Sequence, residues 1–119
     1  TDFILRKIRN VIFERILNYI RFIETILNPN NASLFFFNII RKLEKNDKES
    51  LSDLYEKLGM LEVKTILLDI NYSEKNEAEF INQSIKLFNN EIKNELLPII
   101  NKLVSKKENE EKKNDSYSG

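Results

Sequence analysis

From Asp2 to Leu27 apolar residues return at Ile4, Ile8, Val11 or Ile12, Ile16, Tyr19, Ile23 and Ile26. Steps of three and four predict an amphipathic helix. Turned at ~100° per residue, the polar residues Arg6, Lys7, Asn10, Glu14, Asn18, Arg21 and Glu24 gather in a strip about 120° wide and leave an apolar arc near 200°. That arc is wider than one neighbouring helix needs. One edge, with Ile4, Ile8, Ile12, Ile23 and Ile26, is expected inside the domain; the other, with Phe13, Ile16, Ile20 and Leu27, is expected to meet a second chain or a partner. Arg15 falls near the middle of the arc.

Asn28-Pro29-Asn30-Asn31 is a turn cluster that ends this helix, because the residue before a proline avoids helical geometry. A short second helix over 32–44 carries Leu34, Phe35, Phe36, Phe37, Ile39, Ile40 and Leu43 and is apolar almost all round. Asn46 and Glu49 form an Asn-x-x-Glu start for a third helix that runs to residue 70. Past Gly59 its apolar residues fall on several sides, and that half is expected to be the more deeply buried. Asn71-Tyr72-Ser73-Glu74 repeats the start pattern, with Glu77 and Glu79 following where the helix dipole favours acids.

In this fourth helix Ala78, Ile81, Ile85, Phe88, Ile92, Leu96, Ile99 and Leu103 repeat at threes and fours, a stripe of coiled-coil type, with Phe80 and Leu87 on a second stripe roughly opposite. Pro98 removes one backbone bond and crowds the carbonyl of Asn94, and the unbroken phase of the stripe predicts a kink there. After Val104 the run 106–115 has no apolar residue and reads as a solvated, flexible tail over 106–119.

Two glycines and two prolines in 119 residues leave too few turns for a β-rich fold. The expectation is an all-α helical bundle of about four helices, one of them short, in a single domain over 1–105. No apolar run approaches the ~18 residues of a membrane span. The start Thr1-Asp2-Phe3-Ile4 has no basic leader followed by a cleavage site, so a cytoplasmic protein is expected.

The chain has no cysteine and no histidine, which removes disulfides, thiolate metal sites, cysteine nucleophiles and the commonest general base. Lys and Arg together match Asp and Glu at 19 each, so no global field draws in a polyanion. Two clusters remain. Glu62 and Asp69 lie seven apart on the side of Leu51, Tyr55 and Leu58, where they complete a divalent-metal or acid/base site with Glu74 and Glu77, pair with Arg15 or a lysine, or emerge at the bundle's edge. All five arginines, Arg6, Arg9, Arg15, Arg21 and Arg41, fall in the first 41 residues.

These features support three readings. The first is a non-enzymatic protein-interaction module without cofactors, a homo-oligomer or a small accessory subunit, using Phe13, Ile16, Ile20, Leu27, Phe35, Phe36 and Phe37. The second is an accessory subunit of nucleic-acid machinery that touches phosphates weakly through Arg6, Arg9 and Arg21. The third is a carboxylate-dependent metal hydrolase built on the acidic group.

Overall fold

Helix starts in this chain are set by short polar side chains that accept from backbone N–H groups the helix itself leaves unpaired. In the computed structural model, which describes residues 2–105, α1 spans Asp2–Leu27 and a 3₁₀ turn at Pro29–Asn31 follows it. Ser33 Oγ accepts from the Phe36 N–H at 3.2 Å and opens α2, Leu34–Ile40. The Glu44 N–H donates to Asp47 Oδ2 at 3.1 Å and opens α3, Lys45–Ile70. Ser73 Oγ accepts from the Asn76 N–H at 3.3 Å and opens α4, Glu74–Leu87. No strand occurs among the described residues. The fold is all-α, and the tail expected over 106–119 lies outside the described residues.

Both internal starts differ from the Asn-x-x-Glu expectation by two residues. Asn71 closes α3 instead, its N–H donating to Leu67 O at 2.8 Å. At the other start, Asp47 also receives Lys102 Nζ at 2.9 and 3.1 Å from its two oxygens. That contact from the far end of the chain favours Asp47 over Glu49 as the residue that closes the cap. The second helix also ends earlier than expected. The N–H groups of Lys42 and Leu43 bond three residues back, to Ile39 and Ile40, which tightens the chain into a turn and sends Leu43 into the core.

Three long helices run alternately along one axis. Arg9 of α1 meets Asp69 of α3 and Glu77 of α4, the Tyr19 ring lies 5.7 Å from Phe88, and Lys102 returns to Asp47. So α3 is antiparallel to α1 and α4 parallel to it. The extents of 62 × 23 × 22 Å fit this section, since a helix with side chains is about 10 Å across and two fit in either short direction. The core is filled by Ile12, Ile16, Ile20, Ile23 and Ile26 of α1, Leu51, Leu54, Leu58, Leu61 and Leu68 of α3, and Phe80, Ile81, Leu96, Ile99 and Leu103 from the fourth helix.

The expected inner edge of α1 holds at Ile12, Ile23 and Ile26, which are buried, and the rest of the division between edges is corrected. Ile16 is fully buried and Ile20 nearly so, within the chain's own core, while Ile4 and Ile8 are exposed. Phe13 and Leu27 are half-buried. The inward face is the line Arg9, Ile12, Ile16, Ile20 and Ile23, which a 200° apolar arc does not single out from its neighbours.

The fourth helix also departs from expectation at the proline. It does not stop at Leu87 but continues as a π-helical segment, Phe88–Leu96, and then as α-helix over 97–105. The Leu97 N–H donates to Ile92 O, five residues back, immediately before the residue that has no N–H to give. A π turn adds one residue to the helix without ending it. Counting back from Leu96, an α-helix would bring Ile85 to the core after eleven residues. With one residue inserted the twelfth, Ser84, takes that place, so Glu77, Phe80 and Ser84 are buried while Ile85 is exposed. Within α4 the inner residues are Phe80, of the expected second stripe, and Ile81, of the first, while Leu96, Ile99 and Leu103 of the first stripe stay in the core.

The second half of α3 reverses the remaining expectation. Met60, Val63, Ile66, Leu67 and Ile70 are exposed, by 54% to 79%. With three long helices in the section, α3 has one inner face, already supplied by Leu54, Leu58, Leu61, Thr65 and Leu68. The seven residues of α2 are too few to cover the other side.

Candidate interaction surfaces and a buried ion cluster

Three elements converge on Arg9. Its Nε donates to Glu77 Oε1 at 2.5 Å and its Nη1 to Asp69 Oδ1 at 2.9 Å, with a long contact of 3.5 Å to the Thr65 carbonyl. Arg9 is 6% exposed and Glu77 0%, whereas the Asp69 side chain is 67% exposed. Burial alone would lower the Arg9 pKa, but the hydrogen bonds and charges of Asp69 and Glu77 outweigh it and hold it above its ordinary value. Glu77 Oε2 has no hydrogen-bond partner among the described residues, and neither has the buried Ser84 Oγ. An ion pair taken out of water at this cost adds little net stability, but breaking it from one side is expensive. Here it locks the start of α1 to the α3–α4 connection.

This arrangement argues against the expected phosphate contact at Arg9, which is buried with its Nε and Nη1 turned to two carboxylates. Arg6 is exposed, with its guanidinium 5.6 Å from the centre of the Tyr72 ring, and the two share a cleft of about 350 Å³ beside the cluster. Arg21 is exposed beside Glu24, some distance along α1. The three arginines do not form one basic surface. Arg15 packs over the Phe88 ring at 5.9 Å and pairs with neither Glu62 nor Asp69. Among the described residues no three acidic side chains gather as a cation site. Of the expected acidic group, Asp69 and Glu77 are both bonded to Arg9, whose guanidinium stands where a cation between them would.

The apolar surface lies elsewhere than on the inner line of α1. On α3 the outer residues of the first half are Lys45, Lys48, Glu49, Ser52, Asp53 and Glu56, all exposed and polar. On the second half of the same helix they are Met60, Val63, Ile66, Leu67 and Ile70. A second apolar line follows the seam of α1 and the fourth helix. Ile4, Ile8, Val11, Arg15, Tyr19 and Phe22 share one side of α1 by their spacing, and Ala78, Ile81 and Ile85 of α4 share one side of the fourth helix with Phe88 of the π-helical segment. The Tyr19–Phe88 contact shows that these sides adjoin. The seam ends in a groove of about 400 Å³ where Phe22, Phe36, Ile39, Ile100 and Leu103 meet. Phe36 is half-buried there, its ring 6.1 Å from Phe22, while Phe35 and Phe37 are exposed.

Of the residues named from sequence for an interface, Phe35 and Phe37 lie on the surface, Phe13, Leu27 and Phe36 are half-buried, and Ile16 and Ile20 are inside. The outer residues of α3 are not among those named, though the sequence carries apolar residues there on more sides than one inner face can use. No described helix is long and apolar enough to cross a membrane. No protein-family model, no curated protein and no solved structure matches the chain.

Proposed function

We propose that the chain is a non-enzymatic protein-interaction module that docks through the outer face of α3. The observation that carries this reading is the change of character along that one helix. Its first half shows solvent a charged face and its second half five large apolar side chains, both on the side away from the core. Propensity and folding do not require the change, since the inner line from Leu51 to Leu68 is already complete. Each of the five side chains, once covered, recovers about 1 kcal/mol of the 1.5–3 kcal/mol available for full burial. A contiguous exposed patch of this kind marks a partner site on soluble proteins.

The test is purification of the tagged chain from its native cell beside an Ile66→Glu and an Ile70→Glu variant. Both positions are exposed, so helical content and melting temperature should stay near the parent's. A protein that co-purifies with the parent and is lost from both variants supports the reading. Loss of folding in the variants, or an unchanged set of co-purifying proteins, refutes it.

A further inference from the structure

Resting on that docking reading, we infer that the occupant of α3 is a single amphipathic helix of another protein, with lysine or arginine beside its apolar stripe. Gly59, Val63, Ile66 and Ile70 are spaced four, three and four apart, the a/d rhythm by which one helix accepts another. Met60 and Leu67 widen the stripe on one side. Nothing lies within 4 Å of where a Cβ on Gly59 would stand, which leaves a hole for an incoming side chain at that end. From 59 to 70 the stripe is about 17 Å long at 1.5 Å per residue, the reach of three helical turns. With five partly covered side chains it offers roughly 500 Å² of apolar surface, the apolar share of a standard ~800 Å² face. A helix laid along it matches its length and rhythm.

Charge decides whose helix it is. Glu56 continues the stripe one step towards the start of α3, and Glu62 and Asp69 stand along its edge on the α1 side. Neither Glu56 nor Glu62 makes an ion pair with a described residue. The cations on the other edge are Lys57 and Lys64, and Lys64 Nζ already donates to Gln83 Oε1 at 2.8 Å. If α3 paired antiparallel with a second copy of itself, unpaired Glu62 would face Asp69 of the copy, which shares its partner Arg9 with Glu77. In a parallel pairing Glu62 would be covered by apolar Leu67. Like charges across a helix pair oppose assembly, so a second copy is disfavoured and a basic flank is selected.

The experiment titrates the full chain with two designed three-heptad helices that carry the same isoleucine and leucine stripe, one flanked by lysine and one by glutamate. The chain's net charge is zero, so overall attraction does not favour the lysine peptide. The expected result is binding of the lysine peptide at least about tenfold tighter than the glutamate peptide, weakening as salt is raised. Ile66→Glu should abolish it, and Glu62→Lys should narrow the ratio at least about threefold. Equal affinity for both peptides, lost in Ile66→Glu, overturns the charge inference and leaves the docking surface standing. A parent of twice the monomer mass by light scattering, reduced to monomer by Ile66→Glu, assigns the surface to a second copy and overturns the inference. Failure of both peptides to bind overturns it as well.

Discussion

Replacing Arg9 with methionine is expected to be the most destabilising single change at the surface-to-core boundary of α1, because it strands a charge. Glu77 is fully buried and one of its oxygens already lacks a partner, so Arg9 is all that compensates it. Breaking a buried pair from one side costs about 3–5 kcal/mol, a large part of the ~5–15 kcal/mol that holds a domain of this size. Asp69 adds little to that figure, since a side chain two-thirds exposed is solvated without Arg9. The opposite replacement, Glu77→Leu, should cost less, because Arg9 keeps Asp69. The double variant Arg9→Met with Glu77→Leu should return to within about 1 kcal/mol of the parent or exceed it. Urea unfolding followed by helical circular dichroism closes this cycle, with a coupling of about 2 kcal/mol or more between the two sites. Arg9→Met within about 1 kcal/mol of the parent would show that Glu77 is not buried against Arg9, and the role given to the cluster would fall.

Ser84→Ala should raise stability by about 1 kcal/mol in the same assay, because its buried hydroxyl has no described partner and alanine removes the unmet group. A loss of stability would mean the hydroxyl is bonded. Lys102 is held above its ordinary pKa of 10.5, chiefly by its hydrogen bond to Asp47. A raised folded-state pKa gives stability that is complete below 10.5 and is lost as pH rises through the folded value. The gap between the parent and Lys102→Met should accordingly be constant near neutrality and shrink above that point. A gap unchanged at alkaline pH would show that the Asp47 contact does not form in solution.

Much of the fold is legible in the sequence because local rules settle it. The Asn28-Pro29 turn ends α1 where periodicity says it should, and the scarcity of glycine and proline leaves only helices. What is not legible is the choice among faces. Helix α1 has two apolar edges of equal merit, and Arg9 decides between them by finding Glu77, a residue 68 positions away. Both charges stand in line with core positions, Arg9 three before Ile12 and Glu77 four before Ile81, and that shared irregularity is the readable trace of the pair. The fourth helix misleads for a different reason. Its stripe is continuous on paper, but the π segment before Pro98 slips the phase by one residue and exchanges Ile85 for Ser84. On α3 the apolar residues after Gly59 carry the signal of surplus surface, whereas the number of helices available to cover them is a property of the whole chain.

The docking claim is tested most directly by a photo-crosslinking side chain placed at residue 66 and, as a control, at residue 53, both on exposed positions of α3 and expressed in the native cell. Discrete crosslinked species heavier than the 14.1 kDa chain are predicted from position 66 and not from position 53. The same pattern from both positions, or the uncrosslinked chain alone from each, would contradict the account.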